Sequence, residues 1–202
     1  MLRCGIAPSL ASPSRLWHTR AVTRTPLTRA LPLALGLAAM AAAWRLWPHA
    51  PNLTPVAALA LFIAWATGRA WLGAALAVVT MAASDLALGL YDLRLQVVVW
   101  AMLAAPALLA RFLPGEAKRA WGWSVGASLV GALAFFVVTN AAVWAFGTMY
   151  PHTPSGLAQC YLAAIPFFRA TLAGDLAWTA LLFGGAALAS VRAPAFQPSR
   201  TR

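Results

Sequence analysis

The chain has 202 residues, of which 62% are apolar and 9% charged, with a mean hydropathy of +0.75 and a formal net charge of +11. So little polar surface excludes a soluble globular domain, and the lack of alternating apolar and polar segments excludes a transmembrane β-barrel. At about 20 residues per helical span, the length suffices for about six crossings with short loops and no appended soluble domain. The expected fold is therefore an all-α integral membrane protein, a bundle of about six transmembrane helices.

Residues 1–29 form a basic N-terminal tail with Arg3, Arg15, Arg20, Arg24 and Arg29 and no acid, expected to be disordered. This pattern is shared by organelle transit peptides, by a start codon placed too far upstream in a GC-rich bacterial gene, and by a plain basic tail. The Ala/Arg/Trp-rich usage that continues through the chain favours the last two. The membrane domain is expected over 30–191, followed by a basic C-terminal tail over 192–202.

Six apolar segments follow in order, at roughly 30–47, 54–68, 70–90, 95–113, 121–147 and 157–191. The first carries Ala30, Ala34, Ala38 and Ala42 at every fourth position, a small-residue stripe that permits close approach of another helix; Ala34, Ala38 and Ala42 are the candidate docking face. The second is short for a full crossing. The sixth is long, and Pro166 is expected to divide it into a re-entrant or interfacial piece and a true span at about 172–190. Gly68, Pro114–Gly115, Pro151 and Pro154 mark turns.

Six spans would place twelve of the fifteen Lys and Arg on one side, leaving Arg45, Arg94 and Arg169 on the other. The positive-inside rule puts both termini in the cytoplasm, and the net charge follows from this asymmetry and from attraction to anionic lipid, with no need for a nucleic-acid partner.

The recognition-capable side chains gather on the opposite, outer side. Asn52 and Thr54 lie in the first outer loop. Asp85 and Tyr91 lie at the outer end of the third segment and its loop, Asn140, Trp144, Tyr150 and His152 at the outer end of the fifth, and Tyr161, Arg169 and Asp175 lead into the sixth span. A charge within a span costs roughly 2.5–3.5 kcal/mol and persists when it faces a bundle interior or a wet cavity and finds a partner. Asp85 is thus expected to line an outward-facing small-molecule site, with Arg169, Arg45 or Arg94 as its partner. The structural alternative is an ion pair knitting the third and sixth spans. His49 and His152, each beside a proline, are weaker candidates as metal ligands, and solvated loop histidines are the plainer reading. Cys4 and Cys160 fall on opposite sides of the membrane, so no disulfide is expected. No phosphate-cradling glycine loop, HExxH or GxSxG occurs, so the reading assigns no catalysis and no cofactor. An enzyme using Asp85, Asp175 and His152 is a rival that no spacing favours.

The strings "RLWPHAPNLTPVAALALF", "MAASDLALGLYD" and "TNAAVWAFGTMYPHTPSGLAQCYLAAIPFFRATLAGDLAWTALLFG" together resemble a family of small bacterial membrane proteins of unknown function. That family looks like the substrate-binding S components of energy-coupling-factor (ECF) vitamin transporters. The resemblance spans about residues 40–185 and is most specific in the last string. It implies a six-helix protein of the bacterial inner membrane that binds a vitamin-like molecule near the outer face. It also implies docking through small residues of the first helix onto a transmembrane subunit carrying two ATPases. A related solitary cobalamin-transporting group uses a third-helix cysteine as cobalt ligand; here that stretch reads Thr80–Met81–Ala82–Ala83, without cysteine. The rival of a different class is an assembly or scaffold subunit whose polar residues hold helices together.

Overall fold

Long Ala/Leu-rich runs propagate helix readily. The computed structural model, which describes residues 27–48 and 52–192, is helical throughout these runs and contains no strand among the described residues. The tail up to residue 26 with Cys4, the loop residues His49, Ala50 and Pro51, and residues 193–202 lie outside the described residues. Helix α1 spans Leu27–Leu46, three residues into the expected tail; α2 spans Val56–Thr67 and α3 Ala70–Leu88. α4 (Leu93–Ala104) runs on through α5 (Pro106–Leu109) and a 3-10 turn at Ala110–Phe112; α6 spans Ala117–Phe146 and α7 Pro154–Arg192.

Four of these rods are long and apolar enough to cross a membrane: Ala70–Leu88, Leu93–Phe112, Ala117–Phe146 and Pro154–Ser190. α1 and α2 are shorter apolar helices. At 12 residues, α2 is about 18 Å long, well under a hydrocarbon core of about 30 Å. It is apolar on every side because it is the centre of the bundle. Val56 through Ala64 are all buried, and α2 touches every other helix.

Local chemistry explains the boundaries. Asp92 caps α4, its carboxylate accepting from the amides of Arg94 (2.9 Å) and Leu95 (3.3 Å). Gly68 closes α2 with a left-handed φ of 66°, its N–H turned back to the carbonyls of Ala64 and Trp65. The next turn brings α3 against α2 so closely that a Cβ on Gly73 would strike the Ala60 carbonyl oxygen. Phe183 of α7 is fully buried and meets Phe62 edge-on at 5.1 Å and Trp65 at 5.2 Å, locking α7 to α2.

Two expectations need correction. α7 is one continuous helix through Pro166, not an interfacial piece followed by a span. A proline removes one backbone bond, and apolar packing along a membrane helix absorbs that loss. The small-residue face of α1 packs inside the chain: Ala34 and Ala41 are buried, and Ala38 and Ala41 line a void of about 10 Å³ shared with α2 and α3. Close approach between α1, α2 and α3 is what those alanines permit here. Ala42 is half-buried.

Candidate functional site

Asp85 lies less than one turn from the end of α3, where insertion of a charge needs compensation. α1 ends at the same level and supplies Arg45. Its guanidinium forms an ion pair with one carboxylate oxygen of Asp85, and its Nε donates to the Ser84 hydroxyl at 2.6 Å. The second Asp85 oxygen accepts from the Trp100 indole (2.8 Å) and the Gln96 amide (3.3 Å), both on α4. Ser84 donates its own proton to the Thr80 carbonyl at 2.8 Å. Asp85, Gln96 and Ser84 are 3%, 2% and 1% exposed. Both charges and both carboxylate oxygens are thus satisfied by the chain itself, the condition under which a buried ion pair is tolerated. The tie joins the first, third and fourth helices, not the third and sixth spans.

Tyr91, in the turn after α3, borders this cluster. Partial burial first, and then the Asp85 charge, push its hydroxyl above the ordinary tyrosine range, while Arg45 opposes them. Arg94 instead binds the exposed Asp92 at 2.9 Å and lies over the Phe146 ring; its side-chain hydrogen bond holds the Asp92 carboxyl below the usual range. Arg169 is exposed on α7.

A second group closes the α6–α7 hairpin. Trp144 donates to the Pro151 carbonyl at 2.9 Å and meets the His152 ring edge-on at 5.6 Å; a His152 nitrogen lies 3.2 Å from the Gly147 carbonyl. Asn140 donates to the Phe136 carbonyl, Tyr161 to the Val137 carbonyl and the buried Cys160 thiol to the Asn140 carbonyl. Tyr150 is half-buried in the same turn. These contacts fix the turn between α6 and α7.

Asp175 belongs to neither group. It is 6% exposed, yet its carboxyl makes no hydrogen bond or ion pair with any described residue. No described side-chain nitrogen or oxygen that is sealed from solvent lacks a partner, so the Asp175 oxygens reach accessible space. Its neighbours in sequence define the surroundings. Gly174 lies against Leu53, where a Cβ would be 3.2 Å from the Leu53 Cα. Trp178, one turn along the same face, meets Trp44 edge-on at 4.9 Å, and Trp44 donates to the Leu53 carbonyl at 2.8 Å. Leu53 thus packs against α7 at Gly174, the residue before Asp175 in sequence, and Trp44 reaches both Leu53 and Trp178. Thr54 is half-buried in this loop, and Asn52 turns it with a φ of 64°.

The predicted site residues therefore fall into three places, Asp85, Arg45 and Tyr91, then the α6–α7 turn, then Asp175 with the first loop, while Arg169 joins none of them. Among the described residues no three His, Cys, Asp or Glu side chains group to hold a metal, and His49 lies outside them. Sequence reading missed Ser84, Gln96 and Trp100 as partners of Asp85, and Trp44 and Trp178 beside Asp175. Gln96 inside an apolar helix was a visible signal; the tryptophans were masked by the general abundance of interfacial Trp.

A family model described as Family of unknown function (DUF6580) matches residues 26–196. No curated protein and no solved structure matches the chain.

Proposed function

The chain belongs to that family of unknown function, and we propose that it is an S-component-like membrane carrier that binds a small vitamin-like molecule beside Asp175. One observation carries this reading: a carboxyl-bearing residue only 6% exposed, with no partner among the described residues, whose oxygens are not fully sealed from solvent. Such a group is expensive to keep unless a ligand completes it. The Trp44–Trp178 pair, Trp178 being one turn from Asp175 on α7, offers flat apolar surface, and a carboxylate with a few aromatic walls is the usual make-up of a ligand site. A ligand presenting N–H donors or positive charge suits it. Arg45 and Asp85 hold α1 against α3 and α4, and so set the frame from which Leu53 reaches α7 at Gly174. The ligand enters from the end of the bundle carrying the loops at 52–55, 89–92 and 147–153, which the basic residues assign to the non-cytoplasmic side. Inward release follows reorientation, driven by an ATPase-bearing membrane partner or accomplished alone. Such a partner would meet α1 on its exposed face, at Leu33, Gly36 and Met40, because Ala34 faces inward.

A thermal-shift panel of vitamins and small organic cations on the purified chain tests the reading. A ligand that raises the melting temperature of the wild type and not of Asp175→Asn supports it. A panel in which nothing binds, or in which the variant responds equally, overturns it. The second reading, a structural or assembly subunit, is favoured by the closed Arg45–Asp85 tie; it expects no ligand response from either protein.

A further inference from the structure

At the end of the bundle opposite the α6–α7 turn, where α6 begins and α7 finishes, the two helices leave a groove of about 550 Å³. Its walls are apolar: Trp121, Leu181, Gly184 and Leu188, with Lys118 at the rim. Leu181 and Leu188 are 62% and 66% exposed, and Gly184 leaves room for the Trp121 indole, 3.8 Å from where a Cβ would stand. Lys118 also borders a second, more open groove of about 550 Å³ along α6, shared with Arg119, Gly122 and Gly126. Both volumes are of the size that ligand clefts have. Lys118 and Arg119 are exposed, and Glu116 is the acid nearby in sequence.

We propose that the α6–α7 groove is a binding site for one anionic phospholipid, the phosphate at Lys118 and Arg119 and an acyl chain along Trp121, Leu181 and Leu188. Any apolar helix face in a bilayer touches lipid. What selects a lipid of one charge is Lys118 at the rim of the apolar groove, with Arg119 next to it on the second groove that Lys118 also borders; basic pockets between spans on the cytoplasmic side hold acidic lipids in this way. A soluble phosphate would have no use for the apolar walls, and an uncharged lipid none for the cations. The site is independent of Asp175 and stands whether or not the carrier reading does.

The test titrates the full-length chain in detergent with phosphatidylglycerol and with phosphatidylcholine of identical acyl chains, counting retained lipid by native mass spectrometry. Phosphatidylglycerol is expected to occupy one site in preference to phosphatidylcholine, and glycerol phosphate, the headgroup without chains, is expected not to displace it. Lys118→Gln with Arg119→Gln, both exposed, should weaken phosphatidylglycerol by about thirtyfold and leave phosphatidylcholine unchanged. Gly184→Leu fills the groove and should remove the preference with both cations still present. Equal retention of the two lipids, a preference that survives either variant, displacement by glycerol phosphate, or a second copy of the chain in place of the lipid would each overturn the proposal.

Discussion

Replacing Asp85 by asparagine removes one charge from a cluster in which every donor has an acceptor. The substituted amide has one oxygen, while three donor groups converge there: the Arg45 guanidinium, the Trp100 indole and the Gln96 amide. If the oxygen faces Arg45, the NH2 group faces the Trp100 and Gln96 donors; if it is flipped, the NH2 group faces the guanidinium. Either way a donor is stranded and the Arg45 charge is left without its counter-ion. Breaking a buried pair on one side costs roughly 3–5 kcal/mol, a large share of a typical stability of about 5–15 kcal/mol. For a chain of this size that is a fall in melting temperature of about 6–20 °C. Intrinsic tryptophan fluorescence during heating of the detergent-solubilised protein reads it directly. Arg45→Met combined with Asp85→Leu removes both charges and should recover much of the loss, since an apolar pair of similar volume is often neutral. An Asp85→Asn variant that melts within about 2 °C of wild type, or a double variant worse than the sum of its two singles, would refute the assignment of Asp85 to a structural tie.

Glycines supply a pair of opposite expectations. Gly73→Ala drives a Cβ into the Ala60 carbonyl and should cost about 1–3 kcal/mol, whereas Gly122→Ala, with open space at its Cβ, should stabilise by about 0.5–1 kcal/mol; melting temperatures of the two variants check both signs. The buried Ser128 and Thr179 hydroxyls, 2.6 Å apart, join α6 to α7. Ser128→Ala or Thr179→Val alone should each destabilise by about 1 kcal/mol or more and the double variant by less than their sum, as measured in a double-mutant cycle. Asp175→Leu should raise the melting temperature of the ligand-free protein, because a buried carboxyl without a partner is removed; an unchanged or lower melting temperature would show that the carboxyl is already satisfied.

The segment boundaries were legible because apolar runs ended at recognisable stops. The expected 54–68 and 70–90 became Val56–Thr67 and Ala70–Leu88, separated at Gly68, whose left-handed turn the sequence marked. Asp85 was legible as a charge that needs a partner, since nothing else explains an acid inside an apolar run. Which cation it meets was not, because Arg45 is 40 residues away and its approach depends on how α1 packs on α3. The alanine stripe illustrates the same limit: spacing shows that a helix can be approached closely, while the identity of what approaches is settled only by packing. Pro166 misled for another reason, since the local rule that a proline ends a helix weakens where no water competes for the backbone. At Asp175 the acid itself could be read in the sequence, but its lack of a partner could not, because that depends on what every other helix fails to bring near it.

The most direct measurement extracts and identifies small molecules retained by the purified wild-type chain and by Asp175→Asn, each confirmed as folded by its melting transition. One compound bearing N–H donors or positive charge is expected, near one per chain in the wild type and absent from the variant. The same compound at the same occupancy in both, or none in either after supplementation of the growth medium with vitamins, would contradict it.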